Sequence, residues 1–463
     1  MHITTLLHII GIVVSVATIE IIGITSGKKI KNHADWSHAG GKANSWICGG
    51  IILGTLIGGQ STIGTSQLAF SFGFSALWFT FGAAMGCLLL AFPYTKALRN
   101  SGCTTVTEVI RTAYGDKIEV LSSLLCCLGI FLSIVAQNLS LSAIITTLFP
   151  CNFYVASLLS ACAMLCFVLF GGAWSAGLGG MVKMTLLLLT SLFGGLVVLI
   201  LSNGFKELMT NVEHIMQLTQ NAEQFNTLYH NPFARGINKD LGSALSVVLG
   251  VVCTQSYAQG IWAARDTATA RKGTLLSAIM AILVGLACSF IGLFMRGHYI
   301  TTTEQVSINI NSPFIYSVID NTAQAFPLFA IHHMPALLGG IMLGTIIITA
   351  IVGGAGLTLG ATTILTRDVV GRFFPKLVTE KRTLQTQRFI TFALLFLASL
   401  AALFTQGSFI NDLGFLSMGL RVATVFFPLT ATLFFKERIN KKWMATAITL
   451  STIALIITKI TAF

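Results

Sequence analysis

The sequence predicts an all-α membrane protein of about twelve transmembrane helices. Three observations carry that prediction. Of 463 residues, 54% are hydrophobic and only 10% are charged, with a mean hydropathy of +0.82; a soluble domain carries about 25% charged residues. Apolar runs of about 18 residues or more recur along the whole chain. The basic residues gather in the short loops between those runs. The formal charge of +12 is therefore topology information, not the footprint of a nucleic-acid partner.

In order, the runs lie near 5–26, 48–70, 74–94, 119–148, 152–171, 178–201, 240–263, 274–297, 335–366, 389–406, 409–435 and 443–462. The first has no Lys or Arg ahead of it and no small-residue cleavage site, so it is expected to persist as a helix and not to be removed as a signal peptide. Glu20, near one end, reads as interfacial or paired with a Lys, and His8, near the other, as interfacial. The runs at 48–70, 119–148 and 335–366 are long or interrupted, which predicts tilt or breaks. Loops 27–47, 95–118, 264–273, 367–388 and 436–442 fall on one side and hold most of the Lys and Arg. The two long loops of the other side, 202–239 and 298–334, hold only Lys206, Arg235 and Lys239. The positive-inside rule then places both termini outside a plasma membrane. The long outer loops are expected to carry short surface helices over the mouth. Ten cysteines show no metal spacing and read as small apolar packers.

Gly49 to Phe74 is apolar enough to span, yet Gly58-Gly59-Gln60-Ser61-Thr62 sits near its middle. Each Gly costs a helix interior about 1 kcal/mol relative to Ala, and backbone groups freed by unwinding need partners inside lipid. The stretch should therefore line a protein cavity. Gly242 to Ala263 is interrupted in the same way by Cys253 to Gly260. These are the first helices of two five-helix blocks, 48–201 and 240–435, with an odd helix offset that inverts the second block. An extra helix precedes them (1–26) and another follows (443–463). This is the layout of inverted-repeat transporters, whose sites lie at the broken helices.

Several stretches resemble the sodium:solute symporter family. Gly54 to Gly73 looks like its first core helix. Thr104-Thr105-Val106-Thr107-Glu108-Val109 with Tyr114-Gly115 resembles the loop before its third core helix. Gly171-Gly172-Ala173-Trp174-Ser175 stands at its turn into the fifth core helix. Gln255 to Asp266, followed by Ala270-Arg271-Lys272-Gly273, is similar to its Gln-x-x-x-Gln-Arg-x-x-Ala-Ala-Lys signature. Thr362 to Asp368 resembles the end of its eighth core helix. The resemblance runs from Gly27 to about Phe374. It implies a LeuT-type five-plus-five inverted repeat and solute uptake by alternating access, in a short and divergent member.

Departures from the family pattern concern the coupling ion. The resemblance implies a sodium ion between backbone carbonyls of the first core helix, here at Gly54 and Ile57, and two hydroxyls on the eighth. Those hydroxyl positions fall on Val352 and Gly353, which carry no side-chain oxygen; Thr349, one turn earlier, has one. Where the family often has Trp-Thr-Asp-x-x-Gln, this chain reads Leu178-Gly179-Gly180-Met181-Val182-Lys183. A carboxylate position has become Gly180 and an amide position Lys183.

Lys183 lies inside a span with no acid within a helical turn, a placement that costs a few kcal/mol unless the group is paired or hydrated. Two readings follow. Its ammonium either occupies the sodium position on the Gly54 and Ile57 carbonyls, with proton coupling or none, or it snorkels to the interface. Arg421 lies mid-span, where it should face the bundle interior and meet a carbonyl, a carboxylate or an anionic substrate. Asp412, about 14 Å along the helix, is too far to be its direct partner. Gln60, Ser61, Thr62, Thr80, Thr254, Gln255, Tyr257 and Gln259 form a belt of neutral donors and acceptors, for a small polar solute or for helix–helix hydrogen bonds. The resemblance implies that positions matching Ser61, Thr80 and Thr254 touch substrate in sugar-transporting members, where larger side chains stand; the shorter ones here argue against a sugar. Gln137 and Asn138 read as interhelical bonds.

Together these features predict a symporter, not an enzyme, for a small polar or carboxylate-bearing solute. Gln60, Ser61, Thr80, Thr254, Gln255, Tyr257, Gln259 and Arg421 are the expected solute residues. Gly54, Ile57, Lys183, Thr349 and Gly353 are the expected coupling-ion residues, with Na+ or H+ as the ion and no other cofactor. Gly54, Ile57 and Thr349 are the positions left to a metal. The expected partners are the solute and the lipid bilayer, without nucleic acid, and a monomer suffices. The rival is a transporter-like sensor that binds solute without net transport; the short cytoplasmic loops offer it little to signal with.

Overall fold

The computed structural model describes residues 6–27, 41–219, 221–305, 316–379, 382–435 and 440–460; the side chains of 20, 22–24, 26, 27, 170–176, 305, 459 and 460 lie outside that description. The chain is built from packed helices. Its only sheet among the described residues is the parallel pair Tyr299–Thr301 and Ser317–Ile319. Among the described residues eight helices are long and apolar enough to cross a membrane, and Leu6–Ile19, Ser45–Leu56 and Phe153–Leu169 are shorter apolar helices.

Helix α1 (Leu6–Gly27) is followed by α2 (Ser45–Leu56), whose start is capped by Asn44, its side chain accepting from the amide of Ile47 at 2.9 Å. Helix α2 stops at Ile57, which is extended (φ −91°, ψ 90°). The chain restarts as a wide turn, Gln60–Gly64, and continues as α3 (Thr65–Phe72). Glycine is required at the break. A Cβ on Gly58 would stand 2.1 Å from Nε2 of Gln137, and one on Gly59 would stand 2.2 Å from Cβ of Ser140. Gln137 fills that space and its Oε1 accepts from the amide of Gly59 at 2.6 Å, so a backbone donor freed by unwinding has its partner.

Helix α4 (Leu77–Leu89) runs on through a Pro93-containing wide turn. After α5 (Val106–Tyr114) comes α6 (Asp116–Leu148), which carries Gln137. Two expected spans, 152–171 and 178–201, form one helical run, α7 (Phe153–Leu201). The side chains of Gly171 to Ser175, which carried the expected turn, lie outside the described residues. The second break separates α8 (Ile237–Val252) from α9 (Gln255–Ala263) at Cys253 and Thr254. Helices α10 (Thr267–Arg296), α11 (Ala336–Ile364), α12 (Thr383–Phe404), α13 (Ile410–Arg421) and α14 (Lys441–Ile460) complete the bundle.

Small residues set the closest approaches. Gly50 of α2 meets Gly177 and Gly180 of α7, where a Cβ at Gly180 would lie 2.1 Å from the Gly50 carbonyl oxygen. Helix α1 lies on α11 through Gly11, Ser15, Gly340 and Gly344. The long 202–239 connection carries a helix, Phe205–Leu218, as expected of a loop that covers one end.

Candidate functional site

Lys183 is buried, at 1% exposure. Its Nζ donates to the carbonyl oxygen of Gly54 at 2.6 Å and to that of Thr349 at 3.1 Å. The side chain thus bridges α2 and α11 instead of running to an interface. The bare surface at Gly50, Gly177 and Gly180 brings α7 close enough for this reach. A carboxylate at position 180 would have no room. Of the expected ion residues, Gly54 supplies its carbonyl. Thr349 also supplies a carbonyl, since its hydroxyl is spent on the carbonyl of Thr345 at 2.7 Å. Ile57 forms the break itself. Gly353 packs against Cα of Gly58, 3.2 Å from where its Cβ would be, and serves close approach.

Arg421 is completely buried. Nη1 donates to Oγ1 of Thr254 at 2.6 Å; Nη2 donates to Oγ of Ser133 at 2.7 Å and to Oγ of Ser417 at 2.5 Å. Tyr257 lies on the same side, in the first turn of α9. Ser133 and Ser417 bond each other at 2.7 Å, and Ser417 reaches the Gly129 carbonyl. Nε has no partner among the described residues, and no ion pair of Arg421 is found there. Asp412, as its distance along the helix predicts, pairs elsewhere, at 2.8 Å from Arg235. The guanidinium at the second break is thus a buried cation ringed by neutral hydroxyls, where a buried charge is ordinarily paired.

The polar belt divides in two. Thr254 and Tyr257 gather at Arg421, and Gln60 approaches the same group, its Nε2 lying 3.5 Å from Oγ of Ser133. Ser61 and Thr62 turn back on the broken helix, donating to the carbonyls of Leu56 at 3.2 Å and Gly58 at 3.1 Å. Gln255 binds the 104–106 backbone, accepting from the Val106 amide and donating to the Thr104 carbonyl, both at 2.9 Å. Gln259 donates to Thr363 at 3.1 Å. These two amides make helix–helix contacts. Thr80 stands apart, facing Gly285 of α10 with its hydroxyl on the Leu77 carbonyl.

One residue escaped the sequence reading. Asn411 is fully buried, and neither end of its amide has a partner among the described residues. It faces Gly64, where a Cβ would lie 2.3 Å from Oδ1. Its only sequence signal is a polar residue in the first turn of a span. Nearby, a cavity of about 260 Å³ is lined by Leu139, Asn321, Gln324, Ser408 and Ile410, at the end that carries the long loops.

The profile of the sodium:solute symporter family matches residues 36–448. The chain belongs to the sodium:solute symporter family. This symporter is similar in structure to a Na+-coupled sialic acid symporter in its substrate-bound outward-open state: TM-score 0.70, 14% identity, 98% of each chain covered. A mutant of the Eremococcus coleocola manganese transporter is more distant, with TM-score 0.50 and 13% identity over 93% of this chain and 88% of that one. At these identities the likeness establishes the LeuT-type fold and leaves the solute open. The symporter is a multi-pass membrane transport protein, not an enzyme.

Proposed function

We propose that the chain imports a small carboxylate-bearing solute by alternating access, between repeats 48–201 and 240–435, in a plasma membrane with both termini outside. The solute carboxylate docks on Arg421. The observation that carries this reading is the Arg421 guanidinium itself: buried, with no carboxylate and no Nε partner among the described residues, and with hydroxyls of α6, α13 and the second break around it. Truncating a buried charged partner typically costs several kcal/mol of binding. The amine of Lys183, on the Gly54 carbonyl, takes the place that the family resemblance assigns to a sodium ion, and Val352 and Gly353 offer no side-chain oxygen to hold one. Loss and recovery of the Lys183 proton then couples uptake to a proton gradient. Counterflow in proteoliposomes tests the solute class. A panel of neutral and carboxylate solutes should separate, with carboxylates exchanging in the wild type and failing in folded Arg421→Gln. Undiminished carboxylate counterflow in that variant would sink the reading.

A further inference from the structure

Another buried group lies where the chain leaves α11, bonded to neither Lys183 nor Arg421. Asp368 is 2% exposed. Oγ1 of Thr105 donates to its Oδ1 at 3.2 Å and Oδ2 at 3.0 Å; Ser123 donates to Oδ2 at 3.3 Å; the Thr107 hydroxyl also bonds Oδ2. The two carboxylate oxygens and three hydroxyl oxygens thus meet in one place, from α5 and the loop before it, from α6 and from the end of α11.

The charges around it do not cancel. Arg367 pairs with Glu108 at 2.7 Å. Arg372 pairs with Glu119 at 2.9 Å and with Asp116, and Arg111 lies 3.4 Å from Asp116. Three arginines are thus engaged by the other three carboxylates. None of these pairs includes Asp368. A buried charge is ordinarily paired or bound to a metal. Among the described residues this one meets hydroxyls alone, which leaves its charge uncompensated; Oγ1 of Thr105 also accepts from the Glu108 amide at 3.0 Å, and the Thr107 and Ser123 oxygens keep lone pairs for a cation. One carboxylate with neutral oxygens matches a single positive charge; hard divalent ions draw on more anionic ligands and water.

We propose that Asp368, Thr105, Thr107 and Ser123 form a binding site for a monovalent cation of sodium's size. The site stands independently of the solute reading at Arg421. Occupancy ties the 104–108 loop to α11. The same loop is held by Gln255 of the second broken helix, so the bound cation favours the closed form of this end of the molecule.

The test uses the purified full-length chain in detergent. Its thermal midpoint is followed as sodium chloride replaces choline chloride at constant ionic strength, with potassium chloride as a parallel arm. Binding to the folded state alone raises the midpoint with ligand concentration. The expected result is a saturable rise with sodium, weaker with potassium, lost in Asp368→Asn and shifted several-fold to higher sodium in Ser123→Ala. The rise should survive Lys183→Met, which separates this site from the pocket at Gly54. No sodium response in the wild type, an equal response to potassium, or an unchanged sodium midpoint in Ser123→Ala overturns the site. If Asp368→Asn does not fold, Ser123→Ala decides. A failure here leaves carboxylate counterflow untouched, so the two proposals fail separately.

Discussion

The ammonium of Lys183 satisfies two carbonyl oxygens that lie on different helices. Lys183→Met keeps much of the length and removes the donor, leaving both oxygens with lost charge-assisted bonds worth about 1.5–3 kcal/mol each. The expected outcome is a clear fall in the thermal midpoint, together with counterflow that no longer responds to an imposed pH gradient. His333 gives a second prediction. It stacks on Phe329, and its Nε2 has no partner among the described residues. Burial, with the charges of His298 and His332 adding, lowers its pKa from 6.5 to about 4. The folded state therefore binds fewer protons than the unfolded one between those values. Stability is full above pH 6.5 and falls as pH drops toward 4, by about 1–2 kcal/mol after allowance for partial exposure. In His333→Phe, a midpoint scan over that pH window should lose this component of its slope. Lys183 and Arg421 stood out in the sequence because a charge inside an apolar run is conspicuous. Their partners did not: Ser133 lies 288 positions from Arg421, and nothing local marks that pairing. Asn411 was hidden because an amide in the first turn of a span looks interfacial.

Among the elements, both broken helices were legible, since Gly-rich polar centres in apolar runs have few other uses. Which residues pay for the break was not. Gln137, 78 positions from Gly59, closes the freed amide. Gln137→Leu should cost about 1–3 kcal/mol, the penalty of an unsatisfied buried donor, read as a lower midpoint and faster amide exchange over 57–64. The fifth core helix teaches the opposite lesson. Substituting Gly180 looked in the sequence like the loss of a carboxylate; in three dimensions it is the condition for helix contact. Gly180→Ala places a methyl 2.1 Å from the Gly50 carbonyl oxygen. It is expected to destabilise by about 1–3 kcal/mol, and Gly180→Asp by more, with no sodium dependence at the Lys183 pocket regained. The backbone of Phe153–Leu201 runs as one helix through the two expected spans, since apolar runs mark membrane depth, not where a backbone breaks.

At the scale of the whole molecule, the two ends are closed by different chemistry. At the long-loop end Arg235 joins Asp240 at 2.7 Å to Asp412 at 2.8 Å. At the other end Gln255, Asp368 and Arg367 hold the 104–108 loop. On the proposed topology the first end faces outside. Epitope tags at either terminus should then bind antibody on intact cells; binding only after permeabilisation would reverse the assignment. The tether of Lys183 has an electrical consequence. A sodium ion travels with its solute, whereas an amine on the chain returns with the chain. If Lys183 kept its proton throughout, each carboxylate entering would carry one negative charge inward, against about 2.3 kcal/mol per 100 mV of inside-negative potential. If it sheds that proton inside once per turnover, the cycle is electroneutral and indifferent to voltage. A voltage-clamped bilayer measurement of uptake would thus count the protons that pass through one side chain.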